Sequence, residues 1–144
     1  MLLKHILENF KAPIPPAKIS TKRISGQAIK YIAWSDLADI LDARAGLGNW
    51  SWSIVNTIET SPVTQAQMIH EGQPFTKSIK ARLIITGRLT LHGDDRSINF
   101  DATGEELLDC SNFGDPASNA SAQALRRACG LAGLGRTLWQ DTRK

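Results

Sequence analysis

An alternating segment at residues 78–92 constrains the fold of this chain more than any other feature. Because successive side chains of a strand point to opposite faces, it predicts a strand with one buried and one solvated face. Gly87 interrupts the pattern, and we expect a β-bulge there. The predicted buried face comprises Ile79, Ala81, Leu83, Ile85, Leu89 and Leu91, and the polar face comprises Lys80, Arg82, Thr86, Arg88 and Thr90.

Two further alternating segments, residues 50–59 and 97–103, predict strands on either side of this one in the sequence. The turn H-G-D-D-R joins the second and third strands, whereas residues 60–77 carry the turn residues of a longer excursion between the first and second. Three sequential strands with these links predict an antiparallel meander. The side chains expected on one side of the flanking strands are Trp52, Ile54, Ile58, Ile98, Phe100 and Ala102.

Residues 115–139 have the pattern of a long amphipathic helix. Asp115 is a suitable N-cap, Pro116 suits the first turn, and Gly133 or Gly135 can close the far end. The sheet needs a cover, so this helix completes an α+β fold with a β-β-β-α core. We expect the apolar face to comprise Ala117, Ser121, Ala124, Leu125, Ala128, Leu131 and Ala132, and the opposite face Asn119, Gln123, Arg126, Arg127, Gly130 and Gly133.

The segment before the sheet predicts a short amphipathic helix over residues 2–10, followed by an extended arm with three prolines. A short strand is expected at residues 29–33, and Ser35 is expected to cap a second helix. Leu37, Ile40 and Leu41 fall on the buried side of that helix. We therefore divide the chain into an N-terminal helix and basic arm, residues 1–25, and a core, residues 26–144.

The distribution of charge indicates a polyanionic partner. The net charge of +3 and the pI near 9.1 permit nucleic-acid binding without requiring it. Either basic stripe alone is explained by a solvated surface, but two independent elements with basic stripes favour a shared groove. The candidate DNA-binding residues are Arg126 and Arg127 on the helix, Lys80, Arg82 and Arg88 on the middle strand, and Lys22, Arg23 and Lys30 in the basic run before the second helix.

Motifs for cofactor chemistry are missing from the sequence. It contains no G-x-x-x-x-G-K-[ST] for ATP, and the G-L-A-G-L-G at 130–135 ends a helix instead of following a strand. The three histidines have no metal-ligand spacing. We therefore expect no cofactor, no bound metal and no catalytic residue. A magnesium-dependent nuclease site stays as an alternative, formed by Asp101, Glu105, Glu106 and Asp109.

The two cysteines indicate the cellular compartment. Cys110 and Cys129 form no C-x-x-C pattern, which favours reduced thiols over a disulfide framework. The sequence shows neither a signal peptide nor an apolar stretch of membrane-spanning length. We therefore expect a cytoplasmic protein, of bacterial or phage type or associated with the nucleoid, with no membrane partner.

Several of these motifs occur together in one protein family. They are Y-I-A-W before a helix, G-L-G-N-W-S-W-S-I, the long alternating strand, A-T-G-E-E, and A-S-A-Q-A-L-R-R-A-C-G-L-A-G-L-G. From about Ala28 to Trp139 the chain resembles the single-strand annealing domain of the RAD52 recombination mediators and their bacterial relative DdrA. The last motif is the most specific, because the family helix carries a leucine, two basic residues and an alanine, here Leu125 to Ala128.

The resemblance implies a closed ring or a related homo-oligomer with single-stranded DNA in a basic outer groove, its phosphates inward and its bases exposed. Arg126 and Arg127 match the floor of that groove, and Lys80, Arg82 and Arg88 would form its wall. The chain departs from the family at Ser118, Asn119, Gly130 and Asp36, where basic residues are common or expected. These departures predict weaker affinity, or a larger contribution from the N-terminal lysines.

The resulting hypothesis is ATP-independent binding and annealing of single-stranded DNA in recombination and repair, without enzymatic chemistry. A single-strand-binding protein or a recombinase is a further partner class. One alternative is a protein of the DdrA kind that caps 3′ ends against exonucleases. The other is the metal-dependent nuclease.

Overall fold

The computed structural model describes residues 1–110, 114–136 and 138, and it contains three α-helices and seven strands among them. Residues 16–18 form a short 3₁₀ turn. The helices are α1 (Leu3–Phe10), α2 (Trp34–Ala45) and α3 (Pro116–Leu131). The strands are β1 (Ser20–Ile24), β2 (Gln27–Tyr31), β3 (Trp50–Glu59), β4 (Val63–His70), β5 (Gln73–Ile79), β6 (Arg82–His92) and β7 (Ser97–Leu107).

The predicted antiparallel meander is confirmed, with β6 between β3 and β7. The alternation of β6 is also confirmed, because Leu83, Ile85, Leu89 and Leu91 are buried. The strand begins at Arg82 instead of Ser78, since Ser78 and Ile79 belong to β5. The sheet and its covering helix α3 give the predicted α+β fold with a β-β-β-α core.

The bulge expected at Gly87 lies instead on the neighbouring strand. Ile54 pairs with Gly87 and Asn56 pairs with Thr86, so Val55 is the extra residue. An inserted residue reverses which face the following side chains occupy. Ile58 therefore lies opposite Ile84, on the other face from Trp52, and its predicted orientation is wrong. Gly87 is needed because the Trp52 ring fills the space of a Cβ atom.

The N-terminus of α3 is as predicted, and Gly133, one of the two glycines predicted to close the helix, does close it. Asp115 accepts a hydrogen bond from the Ser118 N–H at 2.8 Å, and Pro116 is the first helical residue. The helix ends at Leu131, where Gly133 takes φ +105° and its N–H donates to the Gly130 carbonyl. The Leu134 N–H donates to the Cys129 carbonyl, which completes a Schellman turn. Trp139, the last residue of the stretch assigned to this helix, lies outside the described residues.

The buried side of α3 changes along its length. Ala120 contacts the backbone of Gly104 on β7, and Ala124 and Ala128 follow on the same side. Near its C-terminal end the helix packs on the core of α1 and α2, which buries Cys129. Two predictions therefore fail. Leu131 is 56% exposed instead of buried, and Gly130 is buried instead of lining an open face.

Helices α1 and α2 form a second layer with the end of α3. The predicted burial of Leu37, Ile40 and Leu41 in α2 is confirmed. Ser35 is not the cap of α2, which begins at Trp34 with Ala33 as N-cap and no side-chain cap. None of the described helices combines the length and apolar character that crossing a bilayer requires.

Arg44 of α2 attaches the arm that follows α1. Its guanidinium donates to the carbonyl oxygens of Ala12 at 2.6 Å, Pro13 at 2.7 Å and Phe10 at 3.3 Å. Burial lowers the pKa of the Arg44 guanidinium. The arm predicted as extended is therefore attached to the core by the Arg44 side chain, and its Ile14 and Ile19 also pack against the core.

Two β-hairpins replace segments that were predicted as mostly irregular. Strands β1 and β2 pair across a turn at Ser25 and Gly26, both with positive φ, so the predicted short strand at 29–33 lies at 27–31 and has a partner. The turn falls at the predicted boundary between residues 25 and 26. Strands β4 and β5 form the excursion between β3 and β6.

Candidate nucleic-acid interface

A basic groove, with a volume of about 890 Å³, lies between the β1–β2 hairpin and helix α3. Its basic side chains are Lys22 and Arg23 on the hairpin and Arg126 on the helix. Glu105 and Glu106 of β7 also border it. The structure therefore brings together residues more than 100 positions apart that the sequence placed in two separate basic stripes.

Arg126 is the half-buried cation of the basic groove. Burial lowers the pKa of its guanidinium, Tyr31 opposes that shift, and the neighbouring Arg127 adds to it. Arginine stays charged in proteins, so the lowered pKa reports a cation that is poorly solvated. Among the described residues no carboxylate forms an ion pair with Arg126. An anion entering the groove would supply that missing counter-charge.

The β1–β2 hairpin positions the other two cations. Lys22 Nζ lies 5.1 Å from the centre of the Tyr31 ring, a distance suited to a cation–π contact. Arg23 donates to the Gly26 carbonyl at 3.4 Å across the turn. Lys30 pairs with Thr21, on the hairpin face opposite Lys22, and it does not line the groove.

Arg127 lies beside the basic groove and contacts the sheet. Its Nη1 donates to the Thr103 carbonyl at 2.9 Å, while the Gln123 side-chain oxygen accepts from the Glu105 N–H at 2.6 Å. These bonds satisfy outward-facing backbone groups of β7, an edge strand of the sheet. Arg127 remains exposed, so its other N–H groups stay accessible to a ligand.

The structure does not bring the middle-strand basic residues into this groove. Leu83 and Ile85 face α3, so Arg82 and Arg88 project from the opposite face of the sheet. Arg88 makes two hydrogen bonds to Asp101, at 2.8 and 3.0 Å, and Arg82 lies 3.2 Å from Glu105. Lys80 is exposed in the link between β5 and β6.

The alternation of β7 places Glu106 on the opposite face of the sheet from Asp101 and Glu105, which belong to the same alternative metal site. Hydrogen bonding to Arg88 lowers the pKa of the Asp101 carboxyl. Glu106 lies on the helix side, where it accepts from the Leu107 N–H and the Asn119 amide. Within the described part of the chain no three metal-binding side chains are grouped. Asp101 instead pairs with Arg88 on the solvent face of the sheet.

Comparison with known proteins identifies the family. No protein-family model matches the chain. The chain is 31% identical over 139 residues to "DNA repair RAD52-like protein 1, mitochondrial" of Arabidopsis thaliana, which covers 96% of this chain and 68% of the relative. The chain belongs to the RAD52-like family. The resemblance carried by the A-L-R-R-A motif is confirmed at this level, and the narrower relation to DdrA is not.

Sequence reasoning missed two aromatic residues that line the basic groove. Tyr31 and Trp34 both line it, and Trp34 is 64% exposed. They belong to Y-I-A-W, which was used to recognise the family and not as part of the site. The missed signal is a tryptophan in the first turn of a helix whose buried positions are already filled by Leu37, Ile40 and Leu41.

Proposed function

We propose that this protein binds single-stranded DNA and promotes its annealing in recombination and repair, without ATP. Arg126 carries this proposal, because it is a half-buried cation with no carboxylate partner among the described residues and it lines a groove with Lys22 and Arg23. The Arabidopsis relative is named as a DNA repair protein, which supports the same process.

Phosphate contacts fit this task better than base contacts. Cations bound to phosphates supply affinity that does not depend on sequence, and they screen the repulsion between two strands. Bases left outside the phosphate contacts can then test a complementary strand. Alignment of two strands requires orientation alone, so no covalent step or catalytic side chain is needed.

The other predicted DNA-binding residues lie at different distances from the basic groove, and their proposed roles differ accordingly. Arg127 supplies further phosphate contacts beside the groove. It uses the guanidinium N–H groups that do not donate to the Thr103 carbonyl. Lys80, Arg82 and Arg88 lie away from the groove, so their predicted contacts need a second strand or a neighbouring subunit. Lys30 does not line the groove either, so its predicted DNA contact also needs a second strand or a neighbouring subunit.

We also propose that the chain assembles into a homo-oligomer, in the form of a ring. Support comes from apolar side chains that remain exposed on β3, namely Ile54, Val55 and Ile58. β3 is also an edge strand of the sheet, and the unpaired backbone groups of an edge strand can pair with another chain. Light scattering of wild type and Ile58→Lys tests this, with a smaller particle expected for the variant. A monomeric wild type would contradict the assembly.

The binding test compares Arg126→Ala with Arg96→Ala. Arg96 is an exposed arginine in the β6–β7 turn and does not line the groove. Fluorescence anisotropy with an oligothymidylate at several salt concentrations gives the affinity and its salt slope. We expect Arg126→Ala to weaken binding and to lower the slope by roughly 0.7. Equal behaviour of the two variants, with both folded, would refute the groove assignment.

The annealing test separates the proposed function from its rivals. Labelled complementary strands mixed with the protein in EDTA and without ATP are expected to pair faster than alone. Protection of 3′ ends from an exonuclease without faster pairing would favour the end-capping function of the DdrA kind. Shortening of labelled DNA that requires magnesium would favour the nuclease. A cytoplasmic location, and a single-strand-binding protein or recombinase as partner, stay predictions from the sequence.

A further inference from the structure

Trp34 is the most exposed of the three described tryptophans, and its surroundings differ from those of the other two. The Trp50 indole donates to Asp42 at 2.7 Å. The Trp52 indole donates to Ser121 at 3.2 Å, and its ring covers Gly87. The Trp34 ring is 64% exposed, and among the described residues its indole has no hydrogen-bond partner. Large aromatic side chains usually bury most of their surface, so this exposure needs an explanation.

Trp34 lies between the basic groove and a second cavity. That cavity has a volume of about 440 Å³, within the range of ligand clefts, and Ile54 and Ile85 of the sheet form part of its wall. Ser118 and Ala122 of α3 border both spaces, as Trp34 does. The indole therefore borders both the groove that holds the three cations and a cavity lined by apolar and small side chains.

This juxtaposition matches the chemistry of a nucleotide. A phosphate needs cations, which Lys22, Arg23 and Arg126 supply, and a base needs a flat apolar surface, which Trp34 supplies. Ser118 and Ala122 are short, so they leave room beside the indole for a planar ring. In a duplex the bases are stacked on one another and cannot reach a protein ring, whereas single strands offer their faces freely.

We propose that Trp34 stacks on one base of a single strand whose phosphates occupy the basic groove. This inference rests on the proposed function of that groove. Stacking uses the face of the base and leaves its hydrogen-bonding edge unoccupied, so a stacked base can still meet a complementary strand. Trp34 thereby gives the groove a preference for single strands over duplexes, which phosphate contacts alone do not provide.

The test uses two oligomers with the same number of phosphates, an oligothymidylate and an abasic chain, and the variants Trp34→Ala, Trp34→Phe and Arg126→Ala. We expect Trp34→Ala to lose roughly 5- to 150-fold in affinity for the oligothymidylate and almost nothing for the abasic chain. Trp34→Phe keeps a stacking ring and should retain most of the affinity. Arg126→Ala should weaken binding of both oligomers.

The outcomes separate failure of the stacking from failure of the groove. If Trp34→Ala binds both oligomers as wild type does while Arg126→Ala binds neither well, the stacking is refuted and the groove stands. If Arg126→Ala has no effect on either oligomer, the groove itself is refuted. Equal loss on both oligomers in Trp34→Ala would also overturn the stacking. Circular dichroism controls for folding, and an exposed side chain should alter stability little.

Discussion

Gly104→Ala tests the packing that positions the groove-bearing helix. Gly104 is buried on β7 under α3, and a Cβ atom there would lie 2.8 Å from the Ala124 nitrogen and 2.9 Å from the Ala120 carbonyl carbon. It would approach the Ala120 carbonyl oxygen still more closely. All three atoms belong to the helix backbone, so no side chain can rotate aside and the helix itself must move.

The magnitude follows from two opposing effects. Overpacking a tight contact costs about 1–3 kcal/mol, and the upper value applies here because only backbone faces the new methyl group. Alanine also restricts the unfolded chain, which returns up to about 1 kcal/mol. The expected net loss is about 2 kcal/mol, which corresponds to a fall in Tm of roughly 4–8 °C for a chain of this size.

Urea unfolding followed by circular dichroism measures this loss, with Thr103→Ala as the matched control. Thr103 is the preceding residue of the same strand, its side chain points to the solvent face, and the change produces the same residue. We expect Thr103→Ala to alter stability by less than about 1 kcal/mol. A Gly104→Ala variant as stable as wild type, or less damaging than the control, would refute close contact between α3 and β7.

Four further measurements check other parts of the structure. The Arg88 hydrogen bonds lower the pKa of Asp101 below its ordinary value of 3.8, so they stabilise the fold above that value and cease to do so as the pH falls through the lowered pKa. Asp101→Asn should therefore be less stable than wild type at pH 7, and the difference should shrink as the pH falls below 3.8 in urea unfolding. Asp115→Ala removes the cap of α3 and should cost about 1 kcal/mol, whereas Asp115→Asn, which keeps an acceptor, should cost less. Burial raises the pKa of the Cys110 and Cys129 thiols, so a thiol reagent should react slowly with the native protein and label both only in denaturant. Arg44→Lys cannot reproduce the forked contacts to the arm, and faster cleavage after Lys11 by trypsin is expected; an unchanged rate would show that other contacts hold the arm.

The parts of the fold that the sequence predicted are those where one face is buried and the other is solvated. Strand β6 alternates because Leu83 and Leu89 contact the helical layer while Arg82 and Arg88 face solvent. The β1–β2 hairpin lacks that signal, since its side chains are exposed or half-buried on both faces. Without a buried face there is no periodic pattern to read.

The grouping of the basic residues was predicted less well than the fold, and the difference has a physical cause. If Leu83 and Ile85 face α3, the alternation requires Arg82 and Arg88 to point away from it, so the expected shared groove conflicts with the predicted buried face. The basic residues that line the groove with Arg126 come from the β1–β2 hairpin. Their proximity depends on tertiary packing across more than 100 residues, which no local pattern encodes.

The turn at Gly133 also affects how the chain acquires its structure during synthesis. Beyond it, Leu134 and Leu138 enter the same core as Leu3, Ile6 and Phe10, and Gly135 lies against Ile14. The apolar side of α1 therefore has an incomplete core until residue 134 has left the ribosome. At a synthesis rate of roughly 5–20 residues per second, α1 waits for several seconds with that side exposed. Helix α1 is thus synthesised long before the residues that bury its apolar side, and that side is open to a chaperone in the interval.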